Sequence, residues 1–297
     1  MRMNDLLSGK LAERIKNLPP LPATVAAVIE VTSNPDSSAK ELMQAILPDP
    51  IMCSTLLKVA NSAFFGQSRQ VATLEKAIVV LGFDEIRNII LSKAIFTSFA
   101  SLARTRNKQI PTFWKHSFLC GLAAKIIAED TGYLPSELFI AGLLHDIGKL
   151  ILLMAFPEDC QLLTPVDQAN LFHKPVHEKE RYGISHDFAG HLLLRRWMLP
   201  EQLLMAAGYH HAPEEAPEHK EHALIVQLAD LLSLLYLSNQ SYRPQEVAEL
   251  IPDICAYPQE LWKQAGLPWT RSGICSWYEQ LAESHRRHGG IFDILSS

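Results

Sequence analysis

Cysteine is scarce in this sequence. Five occur in 297 residues, at Cys53, Cys120, Cys160, Cys255 and Cys275, and none forms a CxxC pair. An odd number at scattered spacing argues for reduced thiols and against a disulfide framework. Long uncharged runs are also missing. A bilayer-spanning helix needs roughly 20 apolar residues, whereas an uncharged stretch such as Leu231 to Tyr242 soon meets a charge at Arg243. Met1 to Lys16 mixes both charges and has no apolar core, which is unlike a signal peptide. The expectation is a cytoplasmic protein without membrane insertion. Strand-like alternation and hairpin dipeptides between apolar runs are lacking too. So is any Lys/Arg cluster, which leaves nucleic-acid binding with little support.

What is present is a chain large enough for a substantial core. A globule of this size buries roughly 75% of the surface of its unfolded chain. Hydrophobic residues make up 48% and charged residues 20%, which excludes disorder and low complexity. The net charge of -5 is unevenly spread. Residues 1–110 hold 13 Lys/Arg against 9 Asp/Glu, while residues 111–297 hold 14 against 23 and contain all 12 histidines.

Helical periodicity runs through most segments. Asp36 or Ser37 is placed to cap a helix running to about Leu47, and Asp49-Pro50 opens the next. Thr73 caps a third that ends at Gly82, and Asp84 opens a fourth. A polar stretch from Arg104 to Pro111 marks a boundary. Helices then follow over Trp114–Ile127, Ser136–Leu150, His186–Met198, Glu201–Tyr209 and His222–Leu237. These spacings predict an all-α fold with an N-terminal lobe at 1–110 and a second lobe at 111–240. The segment 241–297, with Trp262, Trp269 and Trp277, is expected as a helical cover.

Chemistry concentrates in the second lobe. His145 and Asp146 are adjacent in an otherwise apolar helix, and a buried carboxylate needs a partner or a cation. His116 lies on the helix beginning near Phe113. His186 follows Ser185, its expected N-cap, with Gly190 one turn later on the same face. His210-His211 ends a helix before a Pro/Glu loop, and Asp230 sits inside a helix apolar almost all round. These five histidines and two aspartates suit one or two ions of iron, manganese, zinc or nickel, with an aspartate able to bridge two of them. Two such ions can activate a water and clamp a phosphate. Lys149, one turn after His145, is suited to a phosphate oxygen. The remaining histidines (His173, His177, His191, His219, His222, His285, His288) lie in polar surroundings and are expected at the surface.

At this point the sequence resembles a known family. GLLHDIGK, from Gly142 to Lys149, is similar to the hallmark of the HD superfamily of metal-dependent phosphohydrolases. LPPLP at Leu18–Pro22, LPDPIMCSTLLKVANSAFFG at Leu47–Gly66, TLEKAIVVLGFDEIRNII at Thr73–Ile90 and FWKHS resemble the HDOD family, HD-related output domains of bacterial signalling proteins. The resemblance covers residues 18–235. It implies a two-lobed helical fold and a role downstream of sensing. HDOD domains often sit beside receiver domains; none is recognisable here, so input from a separate signalling protein is expected.

Many HDOD members lack the metal ligands and act by binding partners. Here the resemblance to HD-GYP phosphodiesterases places His116, His145, Asp146, His186, His210, His211 and Asp230 on ligand positions and Lys149 on the lysine of HDxGK. Asp146 and Lys149 are then the catalytic candidates, with a nucleotide or other phosphorylated small molecule as substrate. The GYP element is replaced by Ala212–Pro217. A glutamate that supplies a third metal in some relatives is Thr112 here. The alternative is a non-catalytic signalling adaptor, with or without a bound metal, any metal being structural, contacting partners through Phe64-Phe65 and the loop Gly66 to Val71.

Overall fold

The computed structural model describes residues 21–62, 65, 70–100, 109–157, 159, 163, 175–238, 242–254 and 258–296. Phe64 and most of the loop after it, and Cys160 and Cys255, lie outside these residues. Among the described residues there is no strand, as the periodicity predicts. Two compact units are present, one within Leu102–Glu283 and the other within Pro19–Ser101 plus Ser284–Ser297.

The second unit is built from α1 (Ala23–Ser33), α2 (Ala39–Ile46), α3 (Pro50–Ala60) and α4 (Leu74–Ser98). Their ends follow local chemistry. α2 is capped by Ser38, one or two residues beyond the expected cap. Glu41 decides the position: its carboxylate accepts from the Ser38 amide at 2.7 Å while the Ser38 hydroxyl accepts from the Glu41 amide. Asp49 caps α3 ahead of Pro50, and the Thr73 hydroxyl caps α4. α4 breaks at Gly82, whose φ of 78° is readily reached only without a Cβ. Val25, Val28, Leu42, Ile46, Leu56, Val59, Ile86 and Ile90 form its core. The chain's end joins it. Phe96 meets Phe292 edge-on, and Lys93 donates to the Leu295 carbonyl.

The first unit carries all the candidate site residues. Its helices are α5 (Ile110–Thr131), α6 (Pro135–Leu144), α7 (Ile147–Ala155), α8 (Val176–Tyr182), α9 (His186–Arg196), α10 (Glu201–Tyr209) and α11 (Lys220–Ser238). α12 (Pro244–Ile254), α13 (Pro258–Gln264) and α14 (Arg271–Ser296) follow, α14 belonging to this unit as far as Glu283. Trp262 is wholly buried and packs on Trp269 and Trp277, and the Trp277 indole donates to Asp130 at 2.7 Å. The stretches Pro135–Ala155 and Lys220–Ser238 are long and apolar enough to cross a membrane by length and composition. They are 83% and 72% buried inside the fold, as core helices are.

One expectation needs correction. Ser136–Leu150 is two helices, α6 and α7, broken at His145-Asp146. Neighbours on a continuous helix diverge by about 100°. The break lets both side chains face one centre. Asp146 begins α7, its carbonyl accepting from the Lys149 amide at 2.9 Å.

Two backbone approaches hold this break in place. On α6, a Cβ at Gly142 would meet the Cys120 carbonyl oxygen of α5 at 2.7 Å. On α7, a Cβ at Gly148 would fall 1.8 Å from the His186 carbonyl oxygen and 2.6 Å from the Gly190 amide of α9. Only glycine allows α7 to lie this close to the start of α9, which brings His186 to Asp146. Gly148→Ala is therefore expected to destabilise the protein by about 1–3 kcal/mol through overpacking. Gly190→Ala, whose Cβ would meet nothing closer than 3.4 Å, is expected to cost much less. Denaturant unfolding of the two variants checks this ordering.

Candidate metal centre

Two groups of ligand-type side chains converge inside the first unit. His116, His145 and Asp230 form one, and Asp146, His186, His210 and His211 the other. The sequence-predicted ligands are all brought together, with Asp146 between the groups. Its Oδ2 lies 3.4 Å from His145 Nε2 and 3.8 Å from His116 Nε2. Its Oδ1 lies 3.1 Å from His186 Nε2 and 3.8 Å from His210 Nε2. Asp230 Oδ1 completes the first group at 3.1 Å from His116 and 3.5 Å from His145. Donor atoms around a tetrahedral ion with bonds near 2.0–2.1 Å stand about 3.4 Å apart. Most of these separations fall close to that edge length.

The imidazoles are held from behind. His145 Nδ1 lies 2.7 Å from the Gly142 carbonyl oxygen and His210 Nδ1 2.9 Å from that of Ala207. A carbonyl only accepts, so both Nδ1 atoms carry the proton and both Nε2 atoms face the centre. Ser233 gives its hydroxyl proton to the Asp230 carbonyl at 2.8 Å. The 3.1 Å contact from His116 Nδ1 to Ser233 Oγ is then donated by the imidazole, and His116 Nε2 faces inward as well. His186 rests on Glu178, whose Oε2 accepts from both Nδ1 and the backbone amide at 2.7 Å. Partners of this kind fix the tautomer and orientation of metal-binding histidines.

The centre contains polar atoms with nothing to bond. His145 Nε2, Asp146 Oδ1, His210 Nε2 and Asp230 Oδ1 are buried without a hydrogen-bond partner. Imidazole lone pairs and carboxylate oxygens converging in a dry site call for positive charge. The donor set therefore fits divalent transition cations.

In the metal-free protein the imidazoles divide: burial opposes a charged His145, yet Cys120 and Asp146 lift it well above its usual range. Burial opposes ionisation of Asp146, but Lys149 and His145 outweigh it and hold the carboxyl well below its usual range. Asp230 is likewise held well down, against burial, by His116 and His145. Burial, with His145 and His186 nearby, brings His210 to about 4. It also drives His211 well down, with help from His210 and His186. Both imidazoles stay neutral, the form that ligates. Burial works against a charged His186, but Glu178 prevails and lifts it to about 9. Lys149 donates to Asp146 Oδ2 at 2.5 Å, and its side chain is 18% exposed, at the edge of the centre.

Several placements differ from expectation. Ser185 does stand at the N-cap of α9, but its hydroxyl bonds the Asp187 carboxylate and caps no amide. His222, expected at the surface, is buried, whereas His177 is fully outside. His191, His219 and His285 are half-buried, and His173 and the side chain of His288 lie outside the described residues. Two supporting residues escape a sequence reading. Ser233 follows Asp230 at i+3, a spacing that could have drawn notice. Glu178 lies in a short, highly charged segment that reads as solvated, and no spacing signals its link to His186.

The Glu178–His186 pair yields a pH expectation for the metal-free protein. A histidine raised in the folded state adds stability that is full below its unfolded value near 6.5. That stability is lost as pH rises through about 9. Unfolding free energy should thus fall across this window, and Glu178→Gln should flatten the fall. Denaturant titrations at several pH values check it.

With this geometry established, comparison with known proteins places the chain. A family model for the HDOD domain matches residues 18–213. A protein of Treponema pallidum (strain Nichols) without assigned function is 26% identical over 214 residues, covering 71% of this chain. The chain spans only 41% of that relative's length. An HDOD domain protein of unknown function from Geobacter sulfurreducens has a similar fold. Its TM-score is 0.74 at 23% identity, covering 97% of each chain. A candidate phosphohydrolase from Shewanella amazonensis SB2B superposes with a TM-score of 0.72 at 22% identity, covering 96% of this chain and 98% of its own. The match spans most of the chain and both of its units, and on that basis this protein belongs to the HDOD domain family.

Proposed function

We propose that this chain is a metal-dependent phosphohydrolase of bacterial signal transduction, cytoplasmic, acting on a nucleotide or another phosphoester. The observation that carries this reading is the division of Asp146, with one carboxylate oxygen toward each set of imidazoles. Two divalent ions of iron, manganese, zinc or nickel in these sets would supply Lewis acidity for in-line phosphoester hydrolysis. His116, His145, Asp146 and Asp230 would hold one, and Asp146, His186, His210 and His211 the other. The fold of the Shewanella candidate phosphohydrolase supports the reading.

The chain's own residues do the remaining work. Gly142, Ala207, Ser233 and Glu178 keep four imidazoles aimed inward, so little reorganisation is needed on loading. Burial of His145, Asp146, His186 and His210 excludes bulk water and strengthens every interaction with a bound anion. The Lys149 ammonium, at the exposed edge, is placed to take a non-bridging phosphate oxygen as a point charge.

A second reading, a signalling adaptor whose metal is structural, is favoured by exposed apolar side chains in the second unit. Leu47 and Ile51, four residues apart, are 54% and 64% exposed.

The test is metal content followed by turnover. Protein purified without a metal-affinity step should carry about two equivalents of transition metal per chain, lost in His145→Ala/Asp146→Ala. The loaded protein should hydrolyse bis-p-nitrophenyl phosphate, and Asp146→Ala should abolish this. A fully metallated protein inert toward nucleotides, cyclic dinucleotides and generic esters overturns the enzyme reading. A protein partner retained by Asp146→Ala but lost in Leu47→Ser/Ile51→Ser would establish the adaptor. Glu178→Gln should weaken metal at the His186 set by about 10–100-fold in chelator competition, as loss of such partners does.

A further inference from the structure

A third group of ligand-type side chains stands apart from this centre. His219, Glu221 and His222 each offer one donor atom, and the three atoms lie within 4.8 Å of one another. They occupy the turn into α11 and its first residues. Asp230 lies eight residues further along α11 than His222, about 12 Å at the rise of an α-helix. We propose that His219, Glu221 and His222 form a structural zinc site, independent of the phosphohydrolase centre.

Two of the three separations approach the geometry of zinc, and all three donor atoms lie within 4.8 Å. Glu221 Oε1 lies 3.7 Å from His219 Nδ1 and 3.3 Å from His222 Nδ1. Ligand atoms around tetrahedral zinc with bonds near 2.0–2.1 Å stand about 3.4 Å apart. One carboxylate oxygen thus faces two imidazole nitrogens across two edges of such a tetrahedron. The two rings stand 5.7 Å apart and nearly perpendicular, so neither blocks the other's approach to the ion.

The surroundings prepare His222 for this role. Its side chain is 7% exposed, and its Nε2 points away from the cluster toward Glu137 Oε2 on α6, at 3.9 Å. At 3.9 Å this contact is longer than a hydrogen bond, whereas Nδ1 lies 3.3 Å from Glu221 Oε1; on zinc binding Nδ1 would release its proton and ligate. Tyr133 packs its ring against the same imidazole at 5.7 Å and fixes its plane. His219 is held at φ 51°, a left-handed conformation uncommon outside glycine, which turns its side chain back toward Glu221. His219 and Glu221 are 32% and 26% exposed, so the ion has a path from solvent and room for a water as fourth ligand.

The position gives the site a purpose. The turn ends the loop that begins after His211, and α11 carries Asp230. An ion here would clamp the loop joining a residue of one ligand set to the helix of the other. Glu137 would tie that clamp to α6, the helix that ends at His145.

The experiment reads zinc stoichiometry. Chelator-stripped wild type, His219→Ala and Glu221→Gln are loaded with zinc, gel-filtered and analysed by plasma mass spectrometry, with folding checked by circular dichroism. Both variants should carry one equivalent less than wild type, whatever the wild-type total. His145→Ala/Asp146→Ala should lose only the metal of the other centre. If that double variant does not fold, cobalt titration of wild type and His219→Ala replaces it. The tetrahedral visible band of wild type should then lose one equivalent's contribution in His219→Ala. Equal zinc and equal cobalt spectra in wild type and the His219 and Glu221 variants overturn the proposal. Failure of the phosphohydrolase reading appears separately, as absence of turnover with this equivalent retained.

Discussion

The Asp146 carboxylate is the constraint to which the rest of the first unit answers. It is buried, ionised and shared between two groups of imidazoles, with Lys149 on one oxygen. A charge removed from water costs several kcal/mol unless partners surround it. Four elements converge to supply them. α5 brings His116, α9 His186, the end of α10 His210 and His211, and the break between α6 and α7 presents His145 beside Asp146 itself, while α11 brings Asp230, a second carboxylate facing His116 and His145. Helix packing here serves the needs of one carboxylate as much as it serves the hydrophobic core.

That convergence depends on close backbone approach. The α5–α6 and α7–α9 contacts use Gly142 and Gly148 where any side chain would collide with a facing carbonyl. The same residues shape the chemistry. Gly142 also lends its carbonyl to His145, and the His186 carbonyl that Gly148 admits belongs to a ligand-type residue. Packing and electrostatics are therefore not separable around this break. A change that loosens α7 against α9 shifts His186 relative to Asp146 at the same time.

Much of this was legible in the sequence, and the exceptions have physical causes. Helical period, the Asp49 and Thr73 caps and the Gly82 kink are local, and local patterns can be read directly. The clustered histidines and aspartates were legible because carboxylates and histidines in apolar helices require an explanation. The break at His145-Asp146 was not, because Leu138 to Met154 is apolar enough to read as one helix. The break is imposed from outside, by what α5 and α9 present. Glu178 and His222 were missed for the opposite reason. Both lie in polar segments that look solvated, and their burial depends on elements distant in sequence.

The order of these residues along the chain bears on how the protein folds. Asp146 finds His186 and His210 only 40 and 64 residues later. Until α9 and α10 dock, the carboxylate has as partners only His116 on α5 and its near neighbours His145 and Lys149. Hydration must therefore persist at the break while the flanking apolar helices collapse. Drying of this point becomes a late step, coupled to long-range closure and not to helix formation. The protein thus carries a wet seam through its folding that is sealed when α9 and α10 arrive.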